Sequence, residues 1–294
     1  MITLFATPRD FSGIYKTIQE NAFSSWRSLS PEIQIIIFGD SVGAKENAIK
    51  INAEYVVNIK CSDKGVPLLS DLFIQADKLA KYPIMTFINA DIILPNNFLE
   101  SIVILSSSLD KYLMVGHRWD MDVEEKIKFD DLNHQKGFWN NAKDKSIKHN
   151  CTAIDYFIYK RNQWKNIPDF IIGRLGYDNW LIWNARRRFI PVVDASDFLM
   201  VIHQNHESIY HTIKHNPKQY NDKEANHNFN LINGKTLNLL DCNYNFNNKK
   251  IVRKTNRDYK IRNLHQLPRI FPEFSFLIKI YRRLYKLIST SNKI

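Results

Sequence analysis

An apolar segment with an asparagine and an aspartate two residues apart carries the clearest chemical signal in this sequence. It runs from Pro83 to Pro95 and contains Asn89 and Asp91. Its β-branched and aromatic residues predict a buried strand, on which residues two apart share one face. Because an unpaired buried carboxylate is costly, we expect a partner for Asp91. One possible partner is Mg²⁺ or Mn²⁺ that holds a diphosphate, since both ions accept carboxylate oxygens. The alternative is that Asp91 closes a turn or caps the next helix.

The elements before this segment alternate between strand and helix. Periodicity predicts strands over 2–7, 33–38 and 55–59 and helices over 14–29 and 44–51. This order predicts an α/β fold with a mostly parallel sheet and helices on both faces. Ligands of such sheets bind beyond the carboxyl ends of the strands. Three polar clusters fall at those ends: Thr7–Ser12, Gly39–Ser41 and Asn89–Asp91.

Later segments add further polar groups. Residues 65–82 predict a helix that a proline initiates and that packs on the sheet. Residues 117–122 mix aromatic, cationic and acidic side chains, as sugar and phosphate sites do, although an exposed loop explains them equally well. The lysine-rich stretch 124–150 predicts a long loop or small insertion, which is often a binding lid. Asp155 then lies on a strand predicted over 153–159.

A second carboxylate stands where a helix begins. Gly176 precedes Asp178, and the apolar residues from Trp180 onward predict the helix. One interpretation is a simple N-cap, worth about 1 kcal/mol. The other is a general base, which needs a fixed position beside the attacking oxygen. The helix dipole is expected to lower the pKa of Asp178.

A third candidate is the histidine that ends the last apolar run. His203 follows residues 198–202, and His206 is the next potential ligand. Together with the histidines at 211 and 215 they could form a zinc site, although their spacing matches no compact zinc pattern. A histidine cluster on the surface without a ligand is the remaining alternative.

Taken in order over residues 1–210, these features resemble glycosyltransferases of the GT-A fold, which use nucleotide-sugar donors. The segment around Asn89-Ala90-Asp91 resembles the Asp-x-Asp element of that family, from which it departs at Asn89. The stretch Gly176-Tyr177-Asp178 resembles the acidic helix start that the family uses near its acceptor. No single motif is specific, so the resemblance depends on their order.

The resemblance implies a role for each matching residue. Asp91 and His203 would hold Mn²⁺ or Mg²⁺ on the donor diphosphate. Asp178 would be the catalytic base of an inverting enzyme, and Asp155 would bind acceptor hydroxyls or substitute for it. The implied donor-binding residues are Thr7, Arg9, Asp40, Gly65, Val66, Asp71, Asn89 and Asp91.

Composition limits the class of protein. The 294 residues can bury a sizeable core, and a net charge of +11 favours anionic partners. Three widely separated cysteines, Cys61, Cys151 and Cys242, favour a reducing cytoplasm. No apolar run reaches the roughly 18 residues of a membrane span, and the first residues lack a signal-peptide pattern. We therefore expect a cytoplasmic protein that meets a membrane only from its surface.

The C-terminal part divides into two predicted segments after a catalytic domain over 1–215. An Asn- and Lys-rich linker or extension is predicted over 216–267. Residues 268–294 predict a basic amphipathic helix, which would lie on an anionic membrane or pack on protein. Because basic residues concentrate there, the charge needs no nucleic-acid partner.

These predictions combine into a glycosyltransferase that moves a sugar from a nucleoside-diphosphate donor, with a uridine nucleotide preferred. The acceptor would be a cell-surface glycan or a lipid-linked glycan of a bacterial polysaccharide, such as lipopolysaccharide or capsule. A sugar-nucleotide nucleotidyltransferase is one alternative, although it would need a glycine-rich phosphate loop after the first strand. A non-catalytic, basic membrane-binding protein is the other. The oligomeric state is open.

Overall fold

The computed structural model describes residues 1–206, 222–277 and 280. Its strands, in chain order, are β1 (Thr3–Ala6), β2 (Gln34–Phe38), β3 (Glu54–Val56), β4 (Ile84–Ile88), β5 (Ile92–Ile93), β6 (Leu113–Val115), β7 (Arg118–Met121), β8 (Ile147–Lys148), β9 (Tyr156–Lys160), β10 (Val192–Asp194), β11 (Val201–Gln204), β12 (Tyr244–Asn247) and β13 (Lys250–Arg253). Its α-helices are α1 (Gly13–Leu29), α2 (Ala44–Lys50), α3 (Leu69–Leu79), α4 (Phe98–Ser108), α5 (Leu132–Lys145), α6 (Tyr177–Arg187), α7 (Lys223–Ile232) and α8 (Arg257–Ile270). Short 3-10 helices form at Leu239–Asp241 and Pro272–Phe274.

A nine-stranded main sheet organises the chain, in the order β13-β12-β10-β6-β9-β4-β1-β2-β3. Strand β9 runs antiparallel to its neighbours β4 and β6, and edge strand β13 runs antiparallel to β12. The remaining neighbours pair in parallel. The predicted mostly parallel α/β sheet is therefore confirmed.

Both faces of the main sheet are buried, as the near-continuous apolar strands require. Along β1, Phe5 faces one core with α3 and α6, while Leu4 faces the other with α1 and α4. On the first face, Phe5 and Phe73 meet edge to face with ring centroids 5.3 Å apart. Packing on both sides holds the carboxyl ends of β1 and β4 in place.

The predicted single strand from Pro83 to Pro95 is wrong, because it divides in two. Strand β4 ends at Ile88, residues Asn89–Asp91 form a turn, and β5 belongs to a separate sheet. The backbone N–H of Asn89 continues the pairing of β4 with β9 by one residue and donates to the carbonyl of Asp155 at 2.9 Å. The polar residues thus mark the point where the chain passes between sheets.

The second sheet, with the order β5-β11-β7-β8, was not predicted. Residues 118–121, interpreted as a loop, form its strand β7, which pairs in parallel with β11. The stretch 124–150, predicted as a long loop or small insertion, contains α5, which Asp131 caps by accepting from the N–H groups of Asn133 and His134. The half-buried Phe138 and Trp139 pack against a small separate core. Burial of one face of α5 explains why an otherwise polar stretch forms a helix.

The stretch 216–267, predicted as a linker or extension, forms regular elements where it is described. Helix α7 packs beside α6, β12 and β13 extend the main sheet, and α8 packs near Leu239–Asp241. A few well-placed apolar residues, such as Leu239 and Phe246, are fully buried and replace a long apolar run. Most of the predicted C-terminal helix over 268–294 lies outside the described residues, as does the expected boundary at 215. In the described part of the chain, no helix is both long and apolar enough to cross a bilayer.

Candidate functional site

A cleft of about 560 Å³ opens beyond the carboxyl ends of β1 and β4. Loop 65–67 and the turn 172–174 contribute to its walls. The predicted donor-binding residues that line it are Thr7, Arg9, Gly65, Val66, Asn89 and Asp91. Arg9 also stacks over the ring of Tyr15, 5.2 Å from its centroid, so a cation stands at the rim.

Two predicted donor-binding residues do not line this cleft. Asp71 lies in the first turn of α3, where it accepts from the backbone N–H of Lys60 at 2.8 Å and from Gln75 Nε2 at 2.6 Å. Asp40 is exposed where β2 ends. Asp71 thus ties the segment that precedes α3 to the first turn of that helix. A contact of Asp71 or Asp40 with the donor stays a prediction.

Asp91, which lines the cleft, contacts two histidines. Its Oδ2 atom lies 3.2 Å from His206 Nε2 and 3.6 Å from His203 Nε2. Each of the three side chains offers one ligand atom, and these atoms all lie within 4.8 Å of one another. Burial alone would raise the pKa of Asp91, but the charges and hydrogen bonds of the histidines hold it well below its usual range.

The second sheet sets the orientation of His203. His203 on β11 stands opposite Asp120 on β7, and Asp120 Oδ1 lies 3.1 Å from His203 Nδ1. This contact directs the opposite ring atom, Nε2, toward Asp91. Burial of His203 would lower its pKa, but Asp91 and Asp120 together raise the pKa to about 9.

These residues fit a divalent cation. The Oδ1 atom of Asp91 is buried and has no hydrogen-bond partner among the described residues, and a bound cation would coordinate it. A carboxylate behind a ligating histidine is the usual arrangement at metal centres, because it orients the ring. Imidazole and carboxylate together suit a cation that accepts both nitrogen and oxygen ligands.

A buried ionic network continues from this centre toward α6. Arg118 lies 2.9 Å from Asp120 through Nε and donates from a terminal nitrogen to Asp155 Oδ2 at 3.0 Å. Asp155 also accepts from Asn89 Nδ2 at 2.6 Å. On the other side, His149 contacts Asp120 closely. Asn89 therefore positions Asp155 through a direct hydrogen bond as well as lining the cleft.

Asp178 is the second residue of α6, after Gly176 at the N-cap and Tyr177, which lines the cleft. Burial raises the pKa of Asp178 to about 7, and the nearby negative charge of Asp155 adds to the rise. Backbone hydrogen bonds at the helix start act in the opposite direction. The lowering expected from the helix dipole is therefore outweighed by desolvation.

Several residues of the site were not predicted from the sequence. Asp120 and Arg118 were noted only as members of a mixed polar segment, and their spacing of two on one strand was the available signal. Arg174 and Asp222 also line the cleft, and nothing in their local sequence marks them. His211 and His215, the other members of the alternative zinc set, lie outside the described residues.

No family model and no curated protein matches the sequence. Solved structures do match. The chain is similar to TarS 1-349 of S. aureus in complex with UDP-GlcNAc at 12% identity and a TM-score of 0.52, covering 94% of this chain and 73% of that one. The chain has a GT-A-like fold.

Two weaker matches have TM-scores below 0.5. TarS 1-349 without a named ligand matches at 11% identity and a TM-score of 0.46, covering 69% of this chain and 60% of that one. Glucosyl-3-phosphoglycerate synthase of M. tuberculosis matches at 11% identity and a TM-score of 0.44. This match covers 71% of this chain and 73% of that one. The chain thus spans between three fifths and three quarters of the length of these neighbours.

Proposed function

We propose that this chain is a glycosyltransferase that moves a sugar from a nucleoside-diphosphate donor, a UDP-sugar, to a hydroxyl group of its acceptor. The observation that carries the proposal is one cleft at the strand ends that is lined by Asp91, a carboxylate that clusters with His203 and His206. A carboxyl group whose pKa is about 7 follows directly after Tyr177 in its wall. The GT-A-like fold and the similarity to a TarS structure solved with UDP-GlcNAc support it.

The donor would lie along the cleft with its diphosphate toward Asp91. Thr7, Gly65 and Val66 stand where the nucleoside would contact the walls, and Arg9 offers positive charge at the rim. Asp91, His203 and His206 would hold Mn²⁺ or Mg²⁺. When bound, such an ion neutralises charge on the leaving nucleoside diphosphate.

Asp178 would take the proton from the acceptor hydroxyl in an inverting transfer. The acceptor oxygen forms the bond to the anomeric carbon, the bond from that carbon to the phosphate oxygen breaks, and the electron pair leaves with the diphosphate. The acceptor proton goes to the carboxylate of Asp178. A pKa of about 7 suits this task, because a base that titrates near the working pH combines ionisation with basicity. Asp155 would bind acceptor hydroxyls or act as the alternative base.

For the acceptor we propose a bacterial cell-surface or lipid-linked glycan that is elongated at the cytoplasmic face of a membrane. The net charge of +11 and the basic composition of the C-terminal segment support this part of the proposal. Basic segments of this kind favour anionic lipid surfaces.

Nucleotide binding is the direct test. Melting temperatures would be measured with UDP, GDP and CDP, with and without Mn²⁺, for the wild type, Asp91→Asn and the control Asp110→Asn at an exposed site. We expect a Mn²⁺-dependent rise with UDP in the wild type and the control, and its loss in Asp91→Asn. A hundredfold excess over the dissociation constant adds about 2.7 kcal/mol, which is readily detected. A cooperative melt that no nucleotide shifts would overturn the proposal.

A further inference from the structure

A second ionic cluster joins the two walls of the cleft and shares no residue with the group of Asp91, His203 and His206. Its central residue is Glu224 in the first turn of α7, which is only 6% exposed. Glu224 Oε1 accepts from Ser62 Oγ at 2.5 Å, and Oε2 pairs with Arg174. Ser62 belongs to loop 61–67 on one wall, and Arg174 belongs to the turn 172–176 on the other.

Asp222 strengthens the same junction. Arg174 Nε lies 2.9 Å from Asp222 Oδ2, and Lys64 Nζ lies 3.2 Å from Asp222 Oδ1. The two cations and two carboxylates balance, so the cluster itself carries no net charge. Arg174 lines the cleft with its guanidinium engaged by Asp222 and Glu224. This arrangement favours an orienting role for the cluster over direct attraction of phosphate.

Helix α7 is itself anchored to the turn. Asn228 makes both hydrogen bonds of a backbone amide with Ile171, accepting from its N–H at 2.8 Å and donating to its carbonyl at 3.0 Å. Ile232 packs against Gly176 so closely that a Cβ on that glycine would lie 2.1 Å from its Cδ1. The position of Glu224 is therefore fixed relative to the start of α6.

We infer that Glu224 is a positioning residue for the donor nucleotide. It holds loop 61–67 and the turn 172–176 at the separation that a nucleoside diphosphate needs, and it ties both to the start of α6. The inference rests on the proposed donor site. It adds that α7 controls the affinity for the donor. Helix α7 does so through Glu224, which contacts Ser62 and Arg174 and not the cation-binding residues or Asp178.

The test compares Glu224→Gln and the milder Ser62→Ala with Glu273→Gln. Glu273 forms an exposed ion pair with Arg187 at 2.6 Å, so its variant breaks a Glu–Arg pair outside the cleft. The probe is UDP with saturating Mn²⁺, measured by calorimetry, together with amide hydrogen exchange of peptides covering 61–67 and 172–176. We expect Glu224→Gln to weaken UDP binding about tenfold, because it removes the charge that pairs with Arg174. Ser62→Ala should weaken it less, because it removes one hydrogen bond of Glu224 and keeps the ion pair with Arg174. Both variants should speed exchange in both walls, and Glu273→Gln should change neither measurement.

A double-mutant cycle with Arg174→Gln separates orientation from direct phosphate contact. If Glu224 acts through Arg174, the double variant binds UDP about as well as either single variant. Additive losses, with Arg174→Gln the more severe, would overturn the inference in favour of a phosphate-binding arginine. A lower melting temperature with unchanged UDP affinity and unchanged exchange would overturn it in favour of a structural ion pair. If wild-type protein binds no nucleotide, the donor site itself fails, and the exchange data still decide whether Glu224 joins the walls.

Discussion

Asp120 and His203 face each other on adjacent parallel strands of the small sheet, with Asp120 Oδ1 3.1 Å from His203 Nδ1. This pair turns Nε2 of His203 toward Asp91. We expect Asp120→Asn to weaken Mn²⁺ binding about 10- to 100-fold, because the outer carboxylate orients the ligand and raises its basicity. Titration of Mn²⁺ by electron paramagnetic resonance in the presence of UDP measures this directly. Asp110→Asn serves as the control, and equal affinities in the two variants would contradict the orienting role.

The cluster of Asp91, His203 and His206 is predicted to bind Mn²⁺ more tightly than Mg²⁺. Two of its three potential ligands are imidazoles, whereas Mg²⁺ favours oxygen ligands. His206→Ala removes one nitrogen ligand, so the affinity for Mn²⁺ should fall more than the affinity for Mg²⁺. Competition titrations of both ions against the wild type and the variant give the ratio. A ratio that does not move would show that His206 stays outside the coordination sphere.

Asp178 should govern the pH dependence of turnover. With the pKa near 7, activity is expected to rise as the carboxyl ionises and to level off above that pH. The Asp178→Asn variant should lose nearly all sugar transfer, and its remaining activity should no longer rise with pH. Its affinity for UDP should be retained. Rates of UDP release measured from pH 5 to 9 check this. An unchanged profile in the variant would assign the base to another residue.

The same carboxyl should affect stability. Because burial raises the folded pKa of Asp178 above its unfolded value, the folded state holds a proton that the unfolded state loses between about pH 4 and 7. The stabilisation is complete below that window and is lost as the pH rises through 7. Urea midpoints of the wild type should therefore fall across the window relative to Asp178→Asn. Parallel midpoint curves would mean that Asp178 is solvated in the folded state.

Substitution by alanine should change the free energy of unfolding in opposite directions at two glycines. Gly176 has φ near +99° and stands against Ile232, so Gly176→Ala is expected to destabilise the fold by about 1–3 kcal/mol. Gly137 lies in α5, and a Cβ added there would have no atom within 4 Å, so Gly137→Ala should stabilise the helix by about 0.5–1 kcal/mol. Urea denaturation of both variants measures the two free energies. A destabilised Gly137→Ala or a neutral Gly176→Ala would contradict this account of the local packing.

Local pattern was sufficient for strands β1 to β4 and β9 and for helices α1 to α3 and α6, but not for β5, β7, β8 and α5, which lie between them. The apolar runs that became β1, β2 and β4, and the amphipathic periods of α1 and α3, depend on neighbours within a few residues, so the local sequence predicts them. Asp91 and His203 each end an apolar run, which is why the local sequence marks both as candidates; their role in binding a cation stays a prediction.

The assembly of the site depended on the tertiary structure, because its contacts join residues far apart in the chain. Asp91 and His206 are separated by 115 positions, and Ser62 and Glu224 by 162. Strand pairing alone decides that Asp120 stands behind His203. The pKa of Asp178 follows from burial by distant segments, which reversed the effect expected from its place at a helix start. Helix α7 forms within an Asn-rich stretch because a few side chains, such as Asn228, find buried partners that only the folded chain provides.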